Sequence, residues 1–142
     1  MRKIYINRLL KLAKHLRSGK LAHKRFNFTH YNNGSFDGNS CGTSGCAIGE
    51  APVVWPKLFE WKRHLVFAKE DSTGYVCDDF CRFFGLRLSG YEKLFIPYSL
   101  EYNKSKLSTC ATAVDVAEHI EKFCVEASRR RGVKGPADRA GT

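Results

Sequence analysis

No stretch of this 142-residue chain is apolar for anything near the length of a membrane span. The basic start Met1-Arg2-Lys3-Ile4-Tyr5 has no apolar segment behind it, because Arg8, Lys11 and Lys14 interrupt it, so the pattern of a secretory leader is absent. These two absences predict a cytoplasmic protein that engages no membrane and keeps its six cysteines reduced. There is no Cys-x-x-Cys pair, which excludes both the redox motif and the zinc-ribbon spacing. No Gly-Lys-Ser/Thr and no dinucleotide fingerprint occur, so hydrolysis of nucleoside triphosphates is not expected. The histidines, at 15, 23, 30, 64 and 119, are scattered and build no recognisable catalytic motif. With no complete catalytic set, the expectation is a binding protein, without cofactor or metal.

Acidic residues are missing from one whole region. Residues 1–25 hold nine Lys/Arg and no Asp or Glu. Residues 129–142 carry Arg129, Arg130, Arg131, Lys134 and Arg139 against Asp138, a balance of +4. The formal charge of +10 therefore belongs to the two ends, and the body between them is mildly acidic at −3. A nucleic-acid binder presents a basic stripe on its folded face, and these ends supply one only where they lie together. Taken separately, Arg129-Arg130-Arg131 reads as a solvated helix end that complements the helix dipole.

An apolar content of 43% with 18 aromatic residues excludes wholesale disorder and suits one domain with a real core. Residues 5–18 predict an amphipathic helix with Ile6, Leu9, Leu10, Ala13 and Leu16 on one stripe, ended by Ser18-Gly19. Arg25–Tyr31 alternates as a short strand does, Asn32-Asn33-Gly34-Ser35 is turn chemistry, and Leu65–Ala68 suits a strand. Pro52 and Pro56 bound a short helix begun near Cys46. Ser72–Phe84 reads as a helix with Val76, Phe80, Phe83 and Phe84 on one side, stopped by Gly85. Ser89-Gly90-Tyr91-Glu92 has capping-box spacing and opens a short turn carrying Leu94 and Phe95. Thr112–Ser128 is a helix with Ala113, Val116, Ala117, Ile120, Phe123, Cys124 and Ala127 on one face and a Thr112–Asp115 cap. The sum is a small α-dominated α+β domain over 1–128, of about four or five helices with a short β-ribbon, followed by a flexible basic tail over 129–142.

Asn39–Gly49 concentrates the distinctive chemistry: Cys41 and Cys46, glycines, and the hydroxyls of Ser40, Thr43 and Ser44. Glycine allows close backbone approach, and a capped helix start presents free N–H groups to an anion. Ser40, Gly42, Thr43, Ser44, Gly45 and Cys46 are the expected cradle for a small anionic ligand, a nucleotide among the options, with Arg25 as counter-charge. The same stretch also reads as a thiolate site with a histidine base, or as small buried side chains packing a tight turn. In order along the chain, Asn7–Ala13, Cys41-Gly42-Thr43-x-x-Cys46-Ala47-Ile48-Gly49, Phe83–Leu86, Leu94-Phe95-x-Pro97 and Val116-Ala117-Glu118-x-Ile120 resemble a group of small uncharacterised phage and bacterial proteins. That resemblance implies a phage or mobile-element origin and an action on some host process. The group continues the cysteine segment with Trp-Ala, whereas this chain has Glu50-Ala51.

Other readings compete. Lys24–Tyr31 interleaves cations with rings, as base stacking with phosphate contact requires, and equally as a half-buried strand does. Cys77 and Cys81 share a helix face and supply half a tetrahedral metal site, or simply pack beside Phe80 and Phe84. Trp55, Phe59 and Trp61 form either an aromatic anchor for a host protein or part of the core.

Overall fold

Two long helices form the spine of the molecule. A computed structural model describes residues 1–21, 25–26, 44–45, 47–62, 65–95 and 112–133, of which 25–26, 44–45 and 131–133 are described by backbone alone. Helix α1 (Lys3–Arg17) buries Ile6, Leu9, Leu12, Ala13 and Leu16. Leu10, expected on that stripe, is exposed, and Leu12 is buried in its place. The two leucines flank the stripe at about 80° on either side, at roughly 100° per residue, so periodicity alone does not choose between them. Ser18 caps the helix and Gly19 turns the chain at φ +74°.

Helix α5 (Ala113–Val133) packs along α1. Its first turn is a reciprocal cap: Thr112 N–H donates to Asp115 Oδ2 at 3.0 Å, and Asp115 N–H donates to Thr112 Oγ1 at 3.1 Å. Val116, Ala117, Ile120, Cys124 and Ala127 are buried, as the periodicity predicts. The helix runs past residue 128 and takes in Arg129 and Arg130, which the sequence assigned to a flexible tail. Arginine is a strong helix former, and cations suit the negative end of the dipole.

Short elements close the other side. Strands β1 (Arg25–Phe26) and β2 (Ser44–Gly45) pair in parallel, with Arg25 opposite Ser44. A 3-10 turn at Ile48–Glu50 leads into helix α2 (Ala51–Val54). The helical segment thus begins beyond Cys46, at Ala47, with no side-chain cap, and Pro52 sits inside its first turn instead of bounding it. Strands β3 (Phe59–Lys62) and β4 (Leu65–Ala68) form an antiparallel hairpin, Phe59 opposite Ala68. Helices α3 (Val76–Phe84) and α4 (Leu88–Phe95) follow, separated by Gly85 in the left-handed region at φ +62°. A Cβ at Gly85 would overlap the ring of Tyr5 on α1, so this position needs glycine for space as well as for conformation. The chain is an α-dominated α+β fold, with an aromatic core centred on Phe59, Phe80, Phe84 and Phe95. Each such ring, fully buried, contributes about 1.5–3 kcal/mol by removal from water.

Candidate functional site

The direction of the α1–α5 pair decides where the charge goes. Arg17, at the end of α1, reaches the first half of α5: its Nε donates to Glu121 Oε2 at 2.8 Å and its Nη2 to Glu121 Oε1 at 2.7 Å, with Glu118 at 3.9 Å. The hydrogen bond to Arg17 holds Glu121 below its ordinary carboxylate range. The helices are therefore antiparallel, and the beginning of α1 lies beside the end of α5. Among the described residues, Met1 and Arg130 line one cavity, so the first residue of the chain and the last described side chain of α5 come together there.

There Met1, Phe123 and Arg130 line a cavity of about 550 Å3 together with Gly85 and Arg87 from the α3–α4 connection and Ser89, Gly90 and Lys93 of α4. Arg87, Lys93 and Arg130 come from different turns and are all exposed. None of the three makes an ion pair or side-chain hydrogen bond among the described residues, and no carboxylate lines the cavity there. The first helical bond of α4 here is Tyr91 N–H to the Arg87 carbonyl at 3.0 Å, so the amides of Leu88, Ser89 and Gly90 have no partner within the helix. His119 Nε2 donates to the Lys93 carbonyl at 2.9 Å and ties α4 to α5 at this point. The closing end of α5 contributes carbonyl dipoles of the opposite sign, which offset part of the charge of Arg130. What remains is an open, water-accessible cavity with an excess of donors and one ring edge, that of Phe123. Its described lining carries cations and a hydroxyl, that of Ser89, and no carboxylate.

Two buried carboxylates lie elsewhere and serve the fold. Asp79, on α3, is 2% exposed. It accepts from Thr73 N–H and Thr73 Oγ1 on one oxygen and from Ser72 Oγ and Ala68 N–H on the other, at 2.7–3.0 Å. Burial alone would raise its pKa, but these four donors together outweigh burial and hold it below the ordinary value. Because Ser72 and Thr73 are engaged in this way, α3 begins at Val76 instead of at Ser72. Glu50 is completely buried, with its Oε1 2.8 Å from His15 Nε2 on α1. Beside it, Trp61 Nε1 donates to the Gly49 carbonyl at 2.8 Å.

Of the residues expected to hold a ligand, Ser40, Gly42, Thr43 and Cys46 lie outside the described residues, as do Cys41 and most of the Lys24–Tyr31 ribbon. Arg25, Ser44 and Gly45 are brought together by backbone pairing, which sets the expected counter-charge position beside the expected cradle. Cys77 and Cys81 are half-buried on α3, and no group of three or more His, Cys, Asp or Glu is placed to hold a metal among the described residues. Burial, helped by Cys77, Asp78 and Glu92, pushes the Cys81 thiol up to about 11, and burial with Glu121 does the same for Cys124. Trp55 and Trp61 are half-buried; Trp55 packs edge-on against Phe83 at 4.8 Å, and Phe59 lies fully in the core. Sequence reasoning passed over Arg87 and Lys93, although two cations flanking a Ser-Gly helix start were legible.

No helix among the described residues is long and apolar enough to cross a membrane. No family model, curated protein or solved structure matches the chain.

Proposed function

We propose that this protein is a non-catalytic binder of phosphate-bearing anions, and that the cavity between the start of α4 and the end of α5 is where it holds them. One observation carries the reading: Arg87, Lys93 and Arg130 converge on that cavity with no carboxylate to neutralise them among its lining residues. Charge-assisted hydrogen bonds contribute about 1.5–3 kcal/mol each, so two or three of them account for micromolar to millimolar affinity for a small anion. Calorimetric titration of the full chain with pyrophosphate in low salt tests this. Saturable binding is expected, weakened by Lys93→Ala; absence of heat and of competition by phosphate rejects the reading.

The register of the short parallel pair favours a second location for the same function. Arg25 stands opposite Ser44, next to the glycine-rich stretch. Arg25→Ala distinguishes the two: a loss of affinity there, with Lys93→Ala silent, moves the site to that stretch.

A further inference from the structure

The basic cavity does not end at α1. A second cleft of about 440 Å3 lies on the far side of Tyr5, lined by Arg8, Lys57, Phe59, Arg82 and Phe83. Between the two clefts, cations and rings alternate. Arg2 lies 5.8 Å over the Tyr5 ring, Arg8 lies 5.8 Å over the same ring and 4.3 Å over Phe83, and Lys11 lies 5.9 Å over Trp55. Phe83 and Trp55 are themselves in contact, so the sequence of charge and ring is continuous.

Most of these cations keep donors to spare. Lys57 has no partner among the described residues. Arg8 and Arg82 each give one donor to a backbone carbonyl, of Phe83 at 2.8 Å and of Asp71 at 2.6 Å, out of the five that a guanidinium carries, and Arg82 Nη2 also lies 4.0 Å from Asp79 Oδ1. Two carboxylates line the second cleft. Asp79 is buried, has both oxygens engaged by Ser72, Thr73 and Ala68, and offsets part of the charge of Arg82; Glu70 is the exposed one, so Arg8 and Lys57 carry the excess charge of this cleft.

We infer that the occupant of this track is a single strand of nucleic acid, running from the α4–α5 cavity across α1 to the cleft beside α3; the inference rests on the reading of the cavity as a phosphate site. A lone pyrophosphate or mononucleotide uses one cavity and leaves the other cations unmatched. From Arg2 to Lys11 the axial rise is about 14 Å at 1.5 Å per residue and the positions step about 180° round the helix, so the path winds across α1 and takes at least roughly four nucleotides at about 3.4 Å each along a strand. Half-exposed Tyr5, Phe83 and Phe123 offer faces or edges to bases, which a duplex hides and a single strand presents. Among the described residues of the track nothing discriminates one base from another, because the contacts on offer are cations for phosphates and ring faces for bases.

Fluorescence anisotropy of labelled oligothymidylates with the full chain, in parallel with pyrophosphate titration, tests the inference. Affinity is expected to rise with length up to about six nucleotides and to exceed that for pyrophosphate by at least about tenfold. Its logarithm should fall against the logarithm of salt concentration with a slope of about −0.7 for each phosphate engaged. Lys57→Glu, a change on the surface, should weaken the oligonucleotide by about tenfold. Tyr5→Ala should do the same while Tyr5→Phe restores most of the loss. If pyrophosphate binds and the oligonucleotide binds no tighter, the strand is overturned and the anion cavity stands. If neither binds in low salt, both fall. Equal affinity for a duplex of the same length, or equal competition by polyglutamate, overturns the assignment to a single strand.

Discussion

The two ends of the α1–α5 pair both carry cations, with Arg87 and Lys93 adding two of them at one end, yet they differ in what faces those cations. At one end Arg17 is held in a fork by Glu121, with Glu118 close by. At the other end Arg87, Lys93 and Arg130 face a cavity that no carboxylate lines. Folding stability gains nothing from three like charges held together, and mutual repulsion costs a little. The paired end is explained by helix packing; the unpaired end is what the proposed anion site would account for.

The largest expected effect breaks that contrast directly. Reversing charge in the cavity with Arg87→Glu and Lys93→Glu together should lower affinity for pyrophosphate by about a hundredfold or more, since each charge-assisted bond lost is about 1.5–3 kcal/mol. Circular dichroism should show the fold intact, because both residues are exposed. Arg17→Glu should do the reverse, lowering the melting temperature and leaving pyrophosphate affinity unchanged.

Next comes a carboxylate that serves the fold. Asp79→Asn removes the charge that four donors converge on and should cost about 3 kcal/mol in denaturant unfolding. Because those donors hold the pKa of Asp79 below its unfolded value, its contribution is present above the ordinary carboxylate range and is lost as pH falls through the folded value. Wild type should therefore lose stability below about pH 4 more steeply than Asp79→Asn does.

Gly85→Ala should destabilise by about 2 kcal/mol, through positive φ and overlap with Tyr5, and should disturb both clefts since Tyr5 stands between them. The smallest effect is a titration shift. Glu121 is held low by Arg17, so in Arg17→Ala its NMR-detected midpoint should move up toward the ordinary glutamate range.

Much of the fold was legible because it rests on local chemistry. The Thr112–Asp115 cap, the α5 stripe, Gly85 as a helix stop and the Leu65–Ala68 strand follow from residues within a turn or two of one another. The failures are long-range. Leu10 and Leu12 are equivalent to α1 taken alone, and only its neighbours decide which is buried. Asp79 reads as a polar residue on a helix until Ala68, Ser72 and Thr73 close around it, and Glu50 gives no hint of His15, thirty-five residues away. The candidate site was half visible. The sequence showed two basic ends that supply a basic stripe only where they lie together; the approach of Met1 to Arg130 depends on an antiparallel packing that no local pattern encodes. Arg87 and Lys93 complete the cavity from a segment whose glycine and serine read as turn chemistry alone.

The contrast between the two ends is tested most directly by amide chemical-shift mapping of the full chain during titration with pyrophosphate. Saturable shifts at Leu88, Ser89, Gly90 and Arg130, with Arg17 and Glu121 unmoved, are the result expected if the unpaired cations are the binding site. Shifts absent from α4, or spread evenly over both ends of the helix pair, would contradict it.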